Sequence, residues 1–391
     1  FFFKTMEKIN AFWISFGLVA VTGLLTLRYL IRDEKNGLWS GSTAEEVAER
    51  FDVDEERIAF VTGCSVGGIG FETARVLALH GFKVIMHFRT QAKADAALNT
   101  LGFEQDNVLE TILFDFADLT QVAEAGYELS KRHQRIDLLI LNAGMFQTGK
   151  KSLLKTVDGF EKNLTVNHLS QCLLIETLRP SLKQSLDARI IILTSEMHVI
   201  ANGLFEKQWF NESNFEPMMA YAETKLSLIL LAIEYNKIFE QSNQKIKVVS
   251  VHPGHVRTNM VAAVKKSEND LNWFVSIVSS CFEAFMDKFV TKSIEQGAST
   301  TIYCALTPKL IGGWYYGNTH EQNLIGFDLF GFRFPGLPAN RLLTDETAPS
   351  RWLIKTKTLI QPFLDKIPFD FCAEFVVIHS DLYFVAIGLC E

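Results

Sequence analysis

The sequence predicts an α/β protein: a doubly wound parallel sheet in a single domain, preceded by an N-terminal transmembrane helix. Three observations carry this expectation. From residue 58 to residue 252, short runs rich in Val, Ile, Leu and Phe alternate with stretches whose apolar residues recur at helical spacing. Strands fed by crossover helices have that pattern. The first such run leads straight into a cluster of glycines that opens a helix. Residues 9–27 carry no charge; at 1.5 Å per residue this nearly matches a hydrocarbon core of about 30 Å.

Composition bounds the function. The 391 residues are 48% hydrophobic and 21% charged, which suits a globular chain with a full core. A net charge of −7 gives no electrostatic case for nucleic acid as a partner. The six cysteines are scattered with no CxxC spacing, so buried free thiols in a reducing compartment are expected, and no metal site.

In chain order, residues 1–32 read as the membrane anchor. Lys4 and Lys8 precede the apolar run and Arg28 and Arg32 follow it, so charge does not fix the orientation, while Trp13 and Tyr29 suit the two interfaces. A cleaved signal fits less well, because the run is long and no small-residue cleavage site follows. Residues 33–57 read as an acidic connector, with Ser42 or Thr43 capping a short helix. Residues 58–360 read as the domain proper and 361–391 as an unassigned aromatic-rich tail.

The domain opens with a strand at 58–62, a turn holding Gly63, Gly67, Gly68 and Gly70, a helix at 71–80 and a strand at 83–88. A strand, glycine turn and helix make a Rossmann-like βαβ unit, whose helix start suits a dinucleotide pyrophosphate. Gly63, Ser65, Gly68, Ile69 and Gly70 are the candidate contacts. Arg89 stands just past the second strand. A basic residue there accommodates a ribose 2′-phosphate, so NADP(H) is expected ahead of NAD(H). A third strand at 111–119 ends at Asp115, a helix covers 121–133, and a fourth strand at 136–144 ends in Asn142-Ala143-Gly144. A helix at 159–182 contains Asn167, and strands at 190–195 and 246–252 follow. In such sheets ligands bind at the carboxyl ends of the strands, and every candidate just named falls there.

The chemistry centres on residues 189–225. A buried strand ends at Ser195, and Tyr221 and Lys225 stand four apart on a helix, hence on one face. A phenol with a pKa near 10 is a poor acid or base at neutral pH, and an ammonium beside it favours the phenolate. A serine hydroxyl at a strand end is suited to hold a substrate oxygen.

The glycine turn, Asp115, the Asn-Ala-Gly at 142–144, Asn167, Ser195, the YxxxK of Tyr221 and Lys225, and HPGHVRT at 252–258 together resemble the short-chain dehydrogenase/reductase family over residues 55–320. FETARVLALHG, VNHL and TSEMH most resemble its group of WW domain-containing oxidoreductases and retinol dehydrogenases, here without a WW module. The resemblance implies that Tyr221 is the acid/base, that Lys225 tunes it and binds the nicotinamide ribose, and that Ser195 holds the substrate oxygen. It implies that Asn167 holds a relay water, that Asp115 meets the adenine and that Asn142 lies beside the adenosine ribose, with Ala143 and Gly144 next to it. Pro253, Gly254 and Thr258 would border the nicotinamide. It also implies homo-oligomers formed through long helices. The turn is one residue longer than TGxxxGIG, which is absorbed as a bulge or crowds the pyrophosphate; Leu141 replaces the first Asn of NNAG.

Met260, Trp273, Phe274 and Phe282 are candidates for an apolar substrate wall. Beside a bilayer, such a wall suits a retinoid- or steroid-like alcohol or carbonyl at the endoplasmic reticulum, with the domain in the cytosol. Two functions follow: a membrane-anchored NADP(H)-dependent oxidoreductase, or a cofactor-binding scaffold without turnover. Sequons at Asn163 and Asn211 report the topology if glycosylated.

Overall fold

The computed structural model describes residues 38, 41–53, 56–102, 108–147, 152–201, 215–257, 291–317, 320–322, 327–329, 332–334, 341–343 and 345–368. Residues 9–27, the expected anchor, lie outside these, as do Thr258, Met260, Trp273, Phe274 and everything beyond 368. Among the described residues no helix is long and apolar enough to cross a membrane.

The strands β1 (Ile58–Val61), β2 (Lys83–Phe88), β3 (Leu109–Leu113), β4 (Leu138–Leu141), β5 (Ala188–Leu193), β6 (Ile246–His252), β7 (Tyr315–Gly317) and β8 (His320–Gln322) form one sheet. Its order is β3-β2-β1-β4-β5-β6-β7-β8. The first seven pair in parallel and β8 closes the edge antiparallel to β7. The order reverses between β1 and β4, so the switch point of the fold opens there.

Both faces of the sheet are covered. Leu139 and Leu141 of β4 join one core with helices α4 (Leu119–Arg132), α5 (Ser170–Lys183), α6 (Pro217–Gln241) and α8 (Ala348–Leu364). Leu138 and Ile140, alternating with them as strand side chains must, join the other core. That core holds α1 (Ala44–Ala48), α2 (Ile69–Leu79), α3 (Gln91–Leu101) and α7 (Ile294–Leu306). Burial on both faces explains why the strands read as continuous apolar runs.

The structure revises several expectations. The third strand runs from Leu109 to Leu113, two residues short of Asp115, whose side chain accepts from Ala117 N in the turn that leads to α4. The expected helix at 159–182 is broken into one α turn (Lys162–Leu164), a π-helical turn (Thr165–Leu169) and α5. The connector's short helix forms as expected, with Thr43 as its cap: Thr43 and Glu46 form a capping box, and Val47 and Ala48 are fully buried. The closing helix α8 runs past residue 360, the expected end of the domain, and Phe363 belongs to the core. Asn163 is fully buried and its amide bonds Glu161 Oε1, so a glycan there is incompatible with this fold.

A buried polar cluster fastens α8 to the helices beneath it. Lys357 Nζ lies 2.8 Å from Glu176 of α5, which also accepts 2.5 Å from Tyr235 of α6. The Lys357 ammonium holds the Glu176 carboxyl below its ordinary range despite burial, which opposes it. Lys357→Met leaves that carboxylate buried without its ion-pair partner, with the Tyr235 hydroxyl and the Arg179 charge still beside it. We expect a loss of about 2 to 4 kcal/mol in urea unfolding, with Glu176→Gln in the same background restoring most of it.

Candidate active site

The glycine turn bridges β1 to α2 at the switch point. Gly63 and Gly67 take left-handed backbone conformations (φ 74° and 77°), which an unbranched glycine adopts without cost. The additional residue of the turn is absorbed outward: Val66 is exposed, and Gly68 N donates to Ser65 O across the bulge. Gly68 is the N-cap of α2 and has no side-chain cap, which leaves helix-terminal N–H groups for an anion. Gly63, Ser65, Gly68 and Ile69 line the cleft that opens above them.

Gly70 has a different task from the one expected. It is buried beneath the turn, and a Cβ on it would come within 2.3 Å of Asn142 Nδ2 and 2.7 Å of Gly63 O. Asn142 also acts as a tie. Its amide donates to Thr62 O (2.8 Å) and Gly63 O (3.2 Å), while Thr62 Oγ1 accepts from Asn142 N and Ala143 N. His87, which the sequence did not single out, completes the support. Its Nδ1 accepts from Gly63 N (3.1 Å) and its Nε2–H donates to Phe114 O (2.9 Å), and burial pushes its pKa down to about 4.

The cleft has a volume of about 730 Å³. One end is walled by Arg89, Lys93 and Asp115, the middle by Asn142, Ala143 and Gly144, and the far end by Ser195, Tyr221, Lys225, Pro253 and Gly254. Arg89 and Lys93 are both exposed. The cleft therefore offers two cations, then a helix terminus with close backbone approach, then a hydroxyl–phenol–ammonium set. That sequence of groups fits an extended dinucleotide.

The catalytic candidates converge from three elements. Ser195 follows β5, and its hydroxyl lies beside the Tyr221 phenol, which α6 presents. Lys225 Nζ donates to Leu193 O (3.0 Å) and stands 5.6 Å from the Tyr221 ring centroid. Burial pulls the Lys225 ammonium down to about 8 and pushes the Tyr221 phenol up to about 12, while the Ser195 hydrogen bond lowers the phenol. In the protein alone, then, it is Ser195 rather than Lys225 that draws the phenol down. Asn167, on the π-helical turn, does not line the cleft. It accepts from Met145 N (2.7 Å) and donates to Met145 O (2.9 Å) and Thr224 Oγ1 (3.1 Å), so it fastens the strand end after β4 to α6. π turns recur at functional sites, and no apolar periodicity announces one.

Sequence reading also missed Met145, Phe146, Met197 and Met218, which line the catalytic end; the Phe146 ring packs edge-on against Tyr221 at 5.2 Å. Each lies just past the carboxyl end of β4 or β5 or at the start of α6, and that position was the available signal.

A model described as short chain dehydrogenase matches residues 57–269, more than half the chain. The chain belongs to the short-chain dehydrogenase family. It is 35% identical over 292 residues to a WW domain-containing oxidoreductase of Drosophila melanogaster, covering 71% of this chain and 66% of that protein. It thus spans slightly less than two thirds of that relative. It is 31% identical to retinol dehydrogenase 14 of Homo sapiens, covering 69% and 80%. An uncharacterised protein of Mycobacterium paratuberculosis shares the fold with a TM-score of 0.58 at 24% identity, covering 82% and 98%. Short-chain dehydrogenases are NAD(P)-dependent oxidoreductases; in this chain Ser195, Tyr221 and Lys225 line one cleft, and Asn167 lies behind it, bonded to Met145 and Thr224.

Two tests follow. Gly70→Ala must move Asn142 or the turn, so dinucleotide affinity should fall at least tenfold in fluorescence titration while the fold persists. His87 and His198 are held near 4 and His168 near 3 by burial. Their folded pKa values lie below the ordinary 6.5, so their contribution is complete above pH 6.5 and is lost as the pH falls toward 3 to 4. His168→Gln should reduce the slope of unfolding free energy in that window by one proton, about 1.4 kcal/mol per pH unit.

Proposed function

We propose that the protein is a membrane-anchored, NADP(H)-dependent oxidoreductase that interconverts a lipophilic alcohol and its carbonyl. The observation that carries this reading is the convergence of Ser195, Tyr221 and Lys225 at the apolar end of a cleft that begins at Arg89 and the α2 terminus. The glycine turn and the α2 N–H groups hold the pyrophosphate. Arg89, with Lys93 beside it, receives the 2′-phosphate, and Asp115 meets the adenine. The nicotinamide supplies or accepts the hydride.

The chain's own residues manage the proton. Ser195 hydrogen-bonds the substrate oxygen and the Tyr221 phenol exchanges a proton with it. Lys225, at about 8, changes charge near neutral pH and holds the nicotinamide ribose. Asn167 keeps the Met145 backbone and α6 in register around them.

Met145, Phe146, Met197 and Met218 give the substrate end flexible apolar and aromatic walls, which suit a lipophilic partner. The name of the related retinol dehydrogenase 14 supports the same class, as does the uncharged run at 9–27. In this proposal the domain lies on the cytosolic face of the endoplasmic reticulum. The alternative is a cofactor-binding scaffold without turnover, which the longer glycine turn and the unassigned tail at 361–391 would favour; the extra residue of the turn is taken up where Val66 is exposed.

Tyr221→Phe should lower turnover of a retinaldehyde or steroid ketone probe by a factor of about 100 or more with NADPH affinity unchanged; full activity in that variant would end the proposal. Arg89→Ala should weaken NADPH about tenfold and spare NADH, measured by fluorescence titration. Since Asn163 is buried, glycosylation of Asn211 in cells is the outcome that would place the domain on the other side of the membrane.

A further inference from the structure

Beyond the set above, a second group of titratable side chains lies at the ends of β5 and β6. These strands are neighbours, in register at Leu193 and Val251, and Thr194 N donates to Val251 O. Glu196 follows Ser195, and His252 ends β6 directly before Pro253. Glu196 Oε1 reaches across the strand ends to lie 2.9 Å from His252 Nε2. Apart from this ion-pair contact, neither ring nitrogen of His252 has a hydrogen-bond partner among the described residues.

His252 is only 3% exposed, yet it lines the cleft beside Pro253 and Gly254. The groups around it are accounted for. The His198 ring bonds Ser195 O through Nδ1 at 2.7 Å, the Tyr315 ring is stacked on His252 at 6.5 Å, and His255 is exposed to solvent. A buried imidazole nitrogen without a hydrogen-bond partner is costly, and the ring borders the space in which a ligand would lie.

The order of groups along the cleft identifies that ligand. A dinucleotide with its adenosine phosphate at Arg89 and its pyrophosphate at the α2 terminus must place its second base at the ends of β5 and β6. Ser195 and Tyr221 address the substrate oxygen there. The amide on that base remains in need of partners once desolvated. A carboxylate at Nε2 keeps the proton on that nitrogen, which leaves Nδ1 as an acceptor.

We propose that His252 is a further cofactor-recognition residue, whose Nδ1 accepts a hydrogen bond from the nicotinamide carboxamide while Glu196 orients its ring. This rests on the NADP(H) reading above. Glu196 acts through His252 and is a positioning residue.

The experiment compares two ligands on the full chain by fluorescence or calorimetric titration: NADP⁺, and 2′-phospho-ADP-ribose, which lacks the nicotinamide. His252→Ala should weaken NADP⁺ about five- to tenfold and leave 2′-phospho-ADP-ribose unchanged. His252→Asn, which keeps a short acceptor, should recover part of the loss. The 3-acetylpyridine analogue, which has no amide N–H, should bind wild type and His252→Ala alike. Glu196→Ala should weaken NADP⁺ in wild type and have no further effect in the His252→Ala background. Equal weakening of both ligands, or of neither, in a variant with unchanged melting temperature overturns the proposal. If wild type binds 2′-phospho-ADP-ribose and NADP⁺ not at all, the cofactor reading itself fails.

Discussion

The tie between β1 and β4 at the switch point is the constraint on which the rest of the site depends. Thr62 accepts two backbone N–H groups from the far strand through one hydroxyl, and Asn142 returns its amide to Thr62 O and Gly63 O. The two strand ends and the glycine turn therefore move as one body. Gly70 is a glycine because Asn142 occupies the space its Cβ would need. The cleft is shaped by this packing before any ligand contact is considered. It also explains why the longer turn is tolerated: the fixed points are Gly63 and Gly70, and the extra residue lies between them on the solvent side.

Behind the catalytic wall the helices are joined by polar groups as well as by apolar packing. Asn167 joins Met145 to Thr224, and Thr194 Oγ1 donates to Lys225 O. His168 bridges Ser227 on α6 to Thr356 on α8. Each of these groups is buried and satisfied, the condition under which polar contacts rigidify a core instead of weakening it. The closing helix is thereby linked to the elements that carry Asn167, Tyr221 and Lys225, through the Glu176 cluster on one side and His168 on the other.

Chemical polarity runs along the cleft: cations at the first end, backbone donors in the middle, methionines and an aromatic ring at the other. A charged, extended cofactor and an apolar substrate can share such a cleft without either meeting the wrong wall. Burial at the catalytic end moves Lys225 down and Tyr221 up, because both charged forms lose water there. The hydrogen bond from Ser195 is thus the local feature that favours the phenolate, and the position of Ser195 depends in turn on the residues packed behind it.

The layered α/β architecture, the strand-end placement of the candidates and the family resemblance are all written in local patterns of the chain. Alternating apolar runs, a glycine cluster between a strand and a helix, and an i, i+4 pair are all short-range signals. Strand β2 was legible to the residue, and the Ser195, Tyr221 and Lys225 convergence was legible as a class. Tertiary structure alone decided the rest. Helix α3 buries only Ala94 and Ala97, too thin an apolar stripe to read in advance, and the break before α5 is a π turn fixed by contacts to Met145 and Thr224. The structural tasks of Gly70 and Asn142 were not legible because their partners are 72 and 80 residues away in sequence (from Asn142 to Gly70, and to Thr62). The roles of His87 and His252 were not legible, although His252 opens the HPGHVRT motif, because a histidine inside a strand reads as an ordinary core position until the fold shows what its ring touches.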